Sequence, residues 1–386
     1  MRIGIVSETY SPEINGVALT VHSLAAGLAA HGHSIDLIRP RQPQPHQDEP
    51  GIEALEVRGM ALPRYPGLRF GLPAGRLLRQ HWGKQRPDAI YVATEGPLGW
   101  SAVRAAKALD IPVATGFHTR FDAYANHYGV GLITPLVRGY LRRFHCRAAA
   151  TLVPTDALAN ELRAIGVPTA RLLRRAVDTK LFHPRYRDET LRDSWHADAT
   201  TPVVLYVGRI AAEKNLDLAV RSFRAIQQQV PNARYVWVGD GPARAALQQA
   251  NPDFIFAGMQ RGEDLARYYA SADMFLFPSL SETFGNVILE ALAAGLPVVA
   301  YEEGAAREHL FHGINGYRIK PCDEAVFIAA SVQLAANLQL LHQMGETAHS
   351  SVAGLSPEAV IREFETLLRQ LSEESTHERH TATAHA

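Results

Sequence analysis

Two carboxylates flank a glycine turn in the second half of the chain, where a predicted strand gives way to a predicted helix. Glu282 precedes Gly285, and Glu290 follows it inside the helix. A helix N-terminus favours an anion, and Gly285 would let a ligand approach the backbone closely. Glu290 lies among apolar residues and needs hydrogen-bond donors, which ribose hydroxyls would supply, with Glu282 near a diphosphate. The alternative is that Glu282 caps the helix and Glu290 is solvated.

Two further strand-to-helix turns carry groups that suit phosphate. Gly208 ends a predicted strand, and two cations, Arg209 and Lys214, follow it. Such cations could neutralise a departing diphosphate. Gly16 lies at the entrance of the first predicted helix, which is again a position that favours an anion. Each feature is common alone, so the prediction depends on all three turns lying at strand ends.

A single histidine and one more glycine turn occupy similar positions. His118 comes just after a predicted strand, where parallel α/β sheets bind ligands, although a lone histidine is more often structural. Gly239 and Gly241 form a turn after another strand, but this turn lacks the third glycine of a dinucleotide fingerprint.

The sequence favours neither a metal-held diphosphate nor a glycosidase. It contains no Asp-x-Asp, so we expect no metal ion and no cofactor. Glu282 and Glu290 belong to one loop–helix element, which is a poor arrangement for two carboxylates that must flank one glycosidic bond.

Short apolar runs alternate with helix-period segments along both halves of the chain, which indicates βαβ units and parallel sheets. The runs are residues 3–6, 35–38, 89–92, 112–115, 150–153, 203–207, 235–238, 254–256, 274–277, 297–299 and 316–319. We therefore predict an α/β fold with two Rossmann-like doubly wound domains that face each other across a cleft.

The alternation is interrupted once, over residues 176–202, and ends before a polar tail. The predicted parts are an N-terminal Rossmann-like domain (1–176), an interdomain linker (177–202), a C-terminal Rossmann-like domain (203–355), a helix that crosses back to the N-terminal domain (356–371) and a disordered tail (372–386). The tail holds three histidines, for which a metal site is a weaker alternative.

The net charge is zero but unevenly distributed. Residues 1–176 carry 21 Lys or Arg and 13 Asp or Glu, and the remainder carries the opposite excess. This asymmetry suggests that the first half faces an anionic partner, unless the two domains simply differ in surface charge. The two cysteines are far apart, so we expect a reducing, cytoplasmic location and no disulfide partner. We predict no transmembrane span and no nucleic-acid partner.

Together, these motifs resemble family-four retaining glycosyltransferases of the GT-B type. The matching segments are 206–209, 213–215, 238–242, 269–273, 277–279, 282–290 and 294–299 in the second half, with 10–17, 117–119 and 176–178 in the first. This chain departs from the family pattern just after the matching segment 294–299. Many relatives carry Gly-Gly there and this chain has Tyr301-Glu302-Glu303, so those contacts are not carried over.

The resemblance implies a retaining, metal-independent transfer of a hexose from a nucleoside diphosphate sugar, of the UDP-glucose or GDP-mannose type. It implies that the C-terminal domain binds the nucleotide sugar and the N-terminal domain binds the acceptor. The catalytic residues it implies are His118 at the transferred sugar, Arg209 and Lys214 at the diphosphate, and Glu282 between sugar and phosphate. The nucleotide-sugar-binding residues it implies are Gly16, Gly208, Arg209, Lys214, Gly239, Glu282, Phe284, Gly285, Asn286, Val287 and Glu290. The rival hypotheses are a nucleotide-sugar epimerase or phosphorylase of the same fold and a non-catalytic nucleotide-sugar-binding protein.

A basic amphipathic helix bears on the acceptor. It begins near Thr134-Pro135, with Leu136, Val137, Tyr140, Leu141 and Phe144 predicted on one side and Arg138, Arg142, Arg143 and Arg147 between them. This pattern favours binding to an anionic membrane, here the inner face of the cytoplasmic membrane, and a glycerolipid acceptor. The first half also resembles lipid-modifying members, the sulfoquinovosyl-diacylglycerol synthases and phosphatidylinositol mannosyltransferases. The alternative is a core-packed helix and a soluble saccharide or small-alcohol acceptor.

Overall fold

The computed structural model describes residues 1–11, 13, 16–42, 49–61, 69–118, 134–280 and 284–384. The chain divides into two compact units. The first unit comprises Met1–Arg175 together with Pro357–Ala386, and the second unit comprises Ala176–Ser356.

The first unit contains a seven-stranded parallel sheet in the order β3-β2-β1-β6-β7-β8-β9 and an antiparallel pair, β4-β5. The strands are β1 Arg2–Val6, β2 Ser34–Pro40, β3 Ile52–Val57, β4 Gly59–Ala61, β5 Arg69–Gly71, β6 Ala89–Val92, β7 Val113–Gly116, β8 Ala150–Val153 and β9 Ala170–Leu172. The helices are α1 Gly16–Ala30, α2 Gly75–Lys84, α3 Pro97–Lys107, α4 Thr134–His145 and α5 Asp156–Ala164. The sequence patterns missed the edge strands β3 and β9, because edge strands carry polar residues that blur an apolar run.

The second unit contains a six-stranded parallel sheet in the order β12-β11-β10-β13-β14-β15. The strands are β10 Val203–Val207, β11 Arg234–Val238, β12 Ile255–Gly258, β13 Met274–Phe277, β14 Val298–Tyr301 and β15 Gly316–Ile319. The helices are α6 Glu189–Ser194, α7 Leu216–Gln229, α8 Arg244–Ala250, α9 Gly262–Ser271, α10 Asn286–Ala293, α11 Gly304–His309, α12 Glu324–Ala335 and α13 Leu338–Ser351. The predicted α/β class with two parallel-sheet domains is therefore confirmed.

The segment predicted as a separate linker, 177–202, is instead part of the second unit. Phe182 and Trp195 lie in its apolar core. The buried Arg192 donates a 3.0 Å hydrogen bond to Asp273, and its guanidinium also donates to backbone carbonyls. The prediction failed because isolated aromatic anchors have no period and therefore resemble a loop in the sequence.

The last helix, α14 (Pro357–Ala384), belongs to the first unit, where it packs on α1 and β6. The Phe364 ring lies 5.0 Å from that of Tyr91, measured between centroids. Ile361 occupies the space above Gly27, where a Cβ would lie 2.1 Å from its Cδ1 atom. The predicted disordered tail is wrong as far as residue 384. No glycine or proline follows Pro357, so nothing ends the helix once its first turns are anchored.

Candidate active site

Two glycine turns meet at the carboxyl edge of the second unit's sheet. Gly208 follows β10 and Gly239 follows β11, with φ angles of +153° and +133° that favour glycine. The Gly208 N–H donates to the Val238 carbonyl at 3.0 Å. A Cβ on Gly239 would lie only 2.0 Å from the carbonyl oxygen of Gly208. The two turns therefore pack backbone against backbone, which larger residues would prevent.

The two predicted cations lie on the loop between β10 and α7. The Arg209 side chain is 58% exposed, and its Nη1 atom is 3.4 Å from a Glu213 oxygen. Lys214 is half-buried and ends a short 3-10 helix, Ala212–Lys214. Asn215 follows in the left-handed region with φ of 56° and lies immediately before α7. Both cations thus lie at the sheet edge where doubly wound folds bind ligands.

Gly285 lies immediately before α10, in the left-handed region with φ of 86°. No side chain of the described residues caps this helix N-terminus, whose first turn contains Asn286 and Val287. Phe284 is buried, and its carbonyl accepts a 2.6 Å hydrogen bond from the Ala305 N–H. This helix N-terminus, which no described side chain caps, thus follows a residue that is anchored in the core, and such a position suits an anion.

Glu290 lies in the second turn of α10 and is half-buried. Its Oε2 atom accepts a 2.8 Å hydrogen bond from the Tyr269 hydroxyl. Burial raises the pKa of Glu290 to about 7, and the Tyr269 hydrogen bond offsets part of that rise. Tyr269 is itself buried against Phe182 and Phe275. Glu290 is therefore not a solvated helix residue, and the sequence analysis missed its partner.

The loops that carry these groups meet at a topological switch point. In the strand order, β10 lies between β11 and β13: the chain runs outward from β10 through β11 to β12 and then crosses to β13 on the other side of β10. The Asn215 side-chain amide, beside Lys214, donates to the Pro278 carbonyl after β13 at 3.4 Å. Open α/β sheets bind ligands at this position. Glu282 lies on the same loop as Pro278 but outside the described residues.

The first unit has its own switch point, between β1 and β6. Gly16 begins α1, after the loop that follows β1, and its carbonyl accepts a 2.8 Å hydrogen bond from the Thr20 hydroxyl. The predicted glycine contact thus lies at a helix N-terminus on the carboxyl edge of the sheet. Residues 12, 14 and 15 of this loop lie outside the described part of the chain.

His118 follows β7 and is held from both sides of its ring. Its Nε2 atom is 2.7 Å from the Tyr91 hydroxyl, and its Nδ1 atom is 2.6 Å from an Arg175 nitrogen. Burial, together with the Arg175 charge, lowers the pKa of His118 well below 6.5. A guanidinium can only donate, so Nδ1 accepts and Nε2 carries the proton of a neutral ring. Neither Tyr91 nor Arg175 was identified in the sequence analysis.

The helix α4 has two kinds of apolar residue rather than the single predicted face. Leu141 and Phe144 are buried in the first unit, whereas Leu136 is 75% exposed and Tyr140 is 41% exposed. Apolar residues of the last turns pack in the core, whereas those nearer the start of the helix remain in contact with solvent. The helix is thus core-packed and still offers an exposed apolar surface at its start.

The arginines of α4 lie on the same helix as this surface. Arg138, Arg142 and Arg143 are exposed. Arg147 follows the helix, with its guanidinium carbon 5.0 Å from the centroid of the Trp100 ring. An exposed leucine and tyrosine beside exposed arginines is the composition expected at a membrane interface.

Within the described ranges, no group of three or more His, Cys, Asp or Glu side chains could hold a metal ion. Cys146 and Cys322 are free and exposed. No single helix in the same ranges is long and apolar enough to cross a membrane. One bent helix pair that begins with α12 matches by length and composition, but Phe327 and Leu334 of α12 lie in the core.

Two family models match the chain. One, described as "Glycosyl transferases group 1", covers residues 201–337, and the other, "Glycosyltransferase Family 4", covers residues 14–181. The GDP-mannose-dependent alpha-mannosyltransferase of Mycobacterium tuberculosis is 35% identical over 80% of this chain and 81% of its own length.

Further relatives are more distant. The sulfoquinovosyl transferase of Arabidopsis thaliana is 31% identical over 71% of this chain and 54% of its own. The alpha-monoglucosyldiacylglycerol synthase of Acholeplasma laidlawii is 28% identical over 96% and 97%. Among solved structures, the sucrose-phosphate synthase of Thermosynechococcus elongatus has a TM-score of 0.76 at 20% identity, over 96% of this chain and 98% of its own, and supports the fold alone.

Proposed function

The chain belongs to the glycosyltransferases of group 1 and family 4, and from that membership we propose that it transfers a hexose from a nucleoside diphosphate sugar to a glycerolipid hydroxyl. The resemblance seen in the sequence is thereby confirmed, and the protein is a hexosyltransferase. The donor is of the UDP-glucose or GDP-mannose type. The observation that carries the proposal is the switch point of the second unit, where glycine turns, two cations and a helix N-terminus that no described side chain caps lie at the same edge of the sheet.

The donor roles follow from the charges at this switch point. Negative charge builds on the diphosphate as the bond to the sugar breaks, and fixed donors stabilise it without reorganising. Arg209 and Lys214 supply positive charge, and the N-terminus of α10 supplies N–H groups. Glu290 would accept from the ribose hydroxyls, and Gly208 and Gly239 leave room for the nucleotide beside the backbone.

Retention and independence from metal ions are part of the same proposal. The sequence offers two fixed cations and no Asp-x-Asp, so the protein's own charges would take the place of a metal clamp. A neutral His118, held by Tyr91 and Arg175, would contact the transferred sugar without adding a charge that competes for the diphosphate. Retention is supported by the family resemblance.

The first experiment is a transfer assay with labelled UDP-glucose or GDP-mannose and vesicles that contain diacylglycerol. We expect labelled glycolipid and free nucleoside diphosphate in equal amounts. Labelled free sugar without glycolipid would indicate hydrolysis, and transfer only to soluble saccharides would reject the lipid acceptor. Binding of the donor without any turnover would support the non-catalytic alternative.

The lipid acceptor is supported by the exposed surface of α4 and by relatives named for lipid products. The alpha-monoglucosyldiacylglycerol synthase matches nearly the whole chain. We propose that Leu136 and Tyr140 enter the interface of an anionic membrane, the inner face of the cytoplasmic membrane, while the neighbouring arginines contact lipid phosphates. Each basic residue near such a surface contributes about 1 kcal/mol.

Vesicle sedimentation tests the membrane surface. The variant Arg138→Gln/Arg142→Gln/Arg143→Gln should remain in the supernatant with anionic vesicles at low salt, while the parent protein sediments. The variant Arg104→Gln/Lys107→Gln/Arg171→Gln, which loses the same charge from exposed residues elsewhere in the first unit, should still sediment. Equal release of both variants, or a parent protein that never sediments, would reject the α4 surface.

A further inference from the structure

Three arginines line an open pocket in the first unit that no predicted site residue touches. The pocket has a volume of about 520 Å³, and its lining residues are Arg41, Gln42, Arg58, Gly59, Arg69 and Leu72. Arg41 and Gln42 follow β2, and Arg58 lies between β3 and β4. Arg69 begins β5, and Leu72 follows it. Because β2 and β3 are parallel neighbours, the pocket lies at the carboxyl edge of the seven-stranded sheet, where such folds bind ligands.

Among the described residues, the pocket has more positive charge than the neighbouring carboxylates balance. Glu56 lies 3.1 Å from the buried Arg39 and 3.4 Å from Arg41, so it is shared between two arginines. Arg41 is 75% exposed, and an ion pair this exposed contributes little. Within the described residues, neither Arg58 nor Arg69 forms an ion pair. An anion that entered the pocket would therefore meet two guanidinium groups that form no ion pair with a carboxylate in the part of the chain that the structure describes.

Arg69 is built into the pocket rather than solvated on its surface. Its Nη2 atom donates to the Gly59 carbonyl at 3.0 Å. Its Nε atom is buried and has no hydrogen-bond partner among the described residues, which is costly unless a ligand supplies an acceptor. Gly59 is confined too, since a Cβ there would lie 2.8 Å from Pro40. Freely solvated surface arginines would show none of these constraints.

The pocket is connected to the loop that leads to Gly16. The Gln42 side chain donates to Glu13 on this loop, and Thr9 donates to the same carboxylate. Burial raises the pKa of Glu13, and these two hydrogen bonds, with the charges of Arg39 and Arg69, lower it in part. Glu13 therefore fixes the side chain of Gln42 at the pocket wall.

We propose that this pocket binds an oxyanion, a phosphate or carboxylate, on the headgroup of the acceptor, so that the enzyme selects acidic glycerolipids over neutral ones. This inference rests on the proposed function. Guanidinium groups bind such oxyanions through paired, charge-assisted hydrogen bonds. The Nε–H of Arg69 would donate a hydrogen bond to the oxyanion. The Arg41 and Arg58 side chains would contact the same oxyanion from the exposed side of the pocket.

Direct binding is measured first, by calorimetric titration with glycerol 3-phosphate, inorganic phosphate and glycerol. The parent protein should bind both phosphates and not glycerol. The variant Arg41→Gln/Arg58→Gln should lose at least about tenfold in affinity for glycerol 3-phosphate, because two charge-assisted contacts are removed. The control Arg104→Gln/Lys107→Gln, which loses the same charge from exposed residues of α3, should bind as the parent does. Equal affinities in the two variants would overturn the site.

Transfer then separates a headgroup site from other sources of the same chemistry. The assay compares phosphatidylglycerol with diacylglycerol as acceptors, both in phosphatidylcholine vesicles. In the pocket variant, we expect the KM for phosphatidylglycerol to rise about tenfold, and the KM for diacylglycerol and the donor affinity to stay unchanged. An equal rise for both lipids would indicate attraction to the surface alone and overturn the proposal. Phosphate binding with an unchanged KM for phosphatidylglycerol would assign the pocket to free phosphate and overturn it too.

Failure of this inference and failure of the proposed function give different results. If lipids accept the sugar and the pocket variant behaves like its control, the pocket assignment fails and the transferase proposal stands. If glycerol 3-phosphate binds the pocket but no lipid accepts a sugar, the lipid-transferase proposal fails and with it the acceptor assignment, while the oxyanion site remains. Both variants change only exposed side chains, and an unchanged melting temperature checks their fold.

Discussion

The affinity for nucleotides should depend on pH, because Glu290 titrates near neutral pH and would accept hydrogen bonds from the ribose hydroxyls. Its pKa of about 7 means that half of the free protein holds a carboxylate at neutral pH. A carboxylate accepts from both ribose hydroxyls, whereas a protonated carboxyl has lost part of that capacity. If binding requires the ionised form, affinity follows the ionised fraction, which falls about tenfold from pH 8 to pH 6.

The assay is calorimetric titration of UDP or GDP, whichever binds more tightly, across this pH range. The terminal phosphate of the nucleotide titrates in the same range, so the measured quantity is the affinity ratio between the nucleotide and its 2′,3′-dideoxy analogue. This ratio should decrease as the pH falls from 8 to 6. In Glu290→Gln the ratio should be independent of pH. In Tyr269→Phe the midpoint should move upward, because the hydrogen bond that lowers the pKa of Glu290 is lost.

The stability of the free protein supplies an independent check of the same group. The pKa of Glu290 is raised in the folded state, so its contribution is fully present below pH 4.5 and is lost as the pH rises through 7. The full shift corresponds to at most about 3 kcal/mol, and to less because the side chain is only half-buried. Glu290→Gln should therefore gain stability relative to the parent from pH 5 to pH 8. The role of Glu290 would be refuted if the affinity ratio between the nucleotide and its dideoxy analogue did not change with pH. It would also be refuted if Glu290→Gln gained no stability relative to the parent.

Three further predictions concern the rest of the site. Lys214→Ala or Arg209→Ala should lower turnover by roughly 10²–10³, the effect of losing one preorganised charge-stabilising donor, without loss of fold. Arg175→Gln should raise the pKa of His118, because the neighbouring charge is removed, and add an acidic limb to the pH profile of kcat/KM while leaving the donor KM nearly unchanged. Gly239→Ala should lower both nucleotide affinity and melting temperature, because its Cβ would lie 2.0 Å from a backbone oxygen.

Matched substitutions keep these predictions specific. Arg261→Ala removes an exposed cation elsewhere in the second unit and should leave turnover unchanged. Gly83→Ala adds a Cβ in a helix where no atom lies within 4 Å, so it should be neutral or stabilising. Near-parental turnover in both cation variants would refute the phosphate assignment. A His118 that keeps its pKa, followed by NMR, in Arg175→Gln would refute the positioning role of Arg175.

The sequence predicted best what depends on local pattern. Glycine turns such as Gly208 and Gly285, and the cations that follow Gly208, could be predicted from the sequence. They lie at the ends of strands and helices, whose residue patterns show where each element starts and stops. Pairs formed by tertiary packing leave no such trace. Tyr269 and Glu290 belong to different helices, and Arg175 reaches His118 from 57 residues away.

The errors had the same origin. The segment 177–202 contributes single anchors such as Trp195 to a core assembled from distant strands, so it resembled a linker. On α4, Leu141 and Phe144 pack in the core whereas Leu136 is exposed. The helical period alone does not predict this difference. The arginine pocket was missed because Arg41, Arg58 and Arg69 lie on three separate segments.

The most direct test of the central claim is the anomeric configuration of the product formed in excess EDTA. The enzyme is incubated with UDP-glucose or GDP-mannose and lipid vesicles, and the glycolipid is examined by NMR through the coupling at its anomeric carbon. We expect undiminished transfer and a product with the same α configuration as the donor. A β-linked product, or transfer that stops in EDTA and returns with a divalent metal ion, would contradict it.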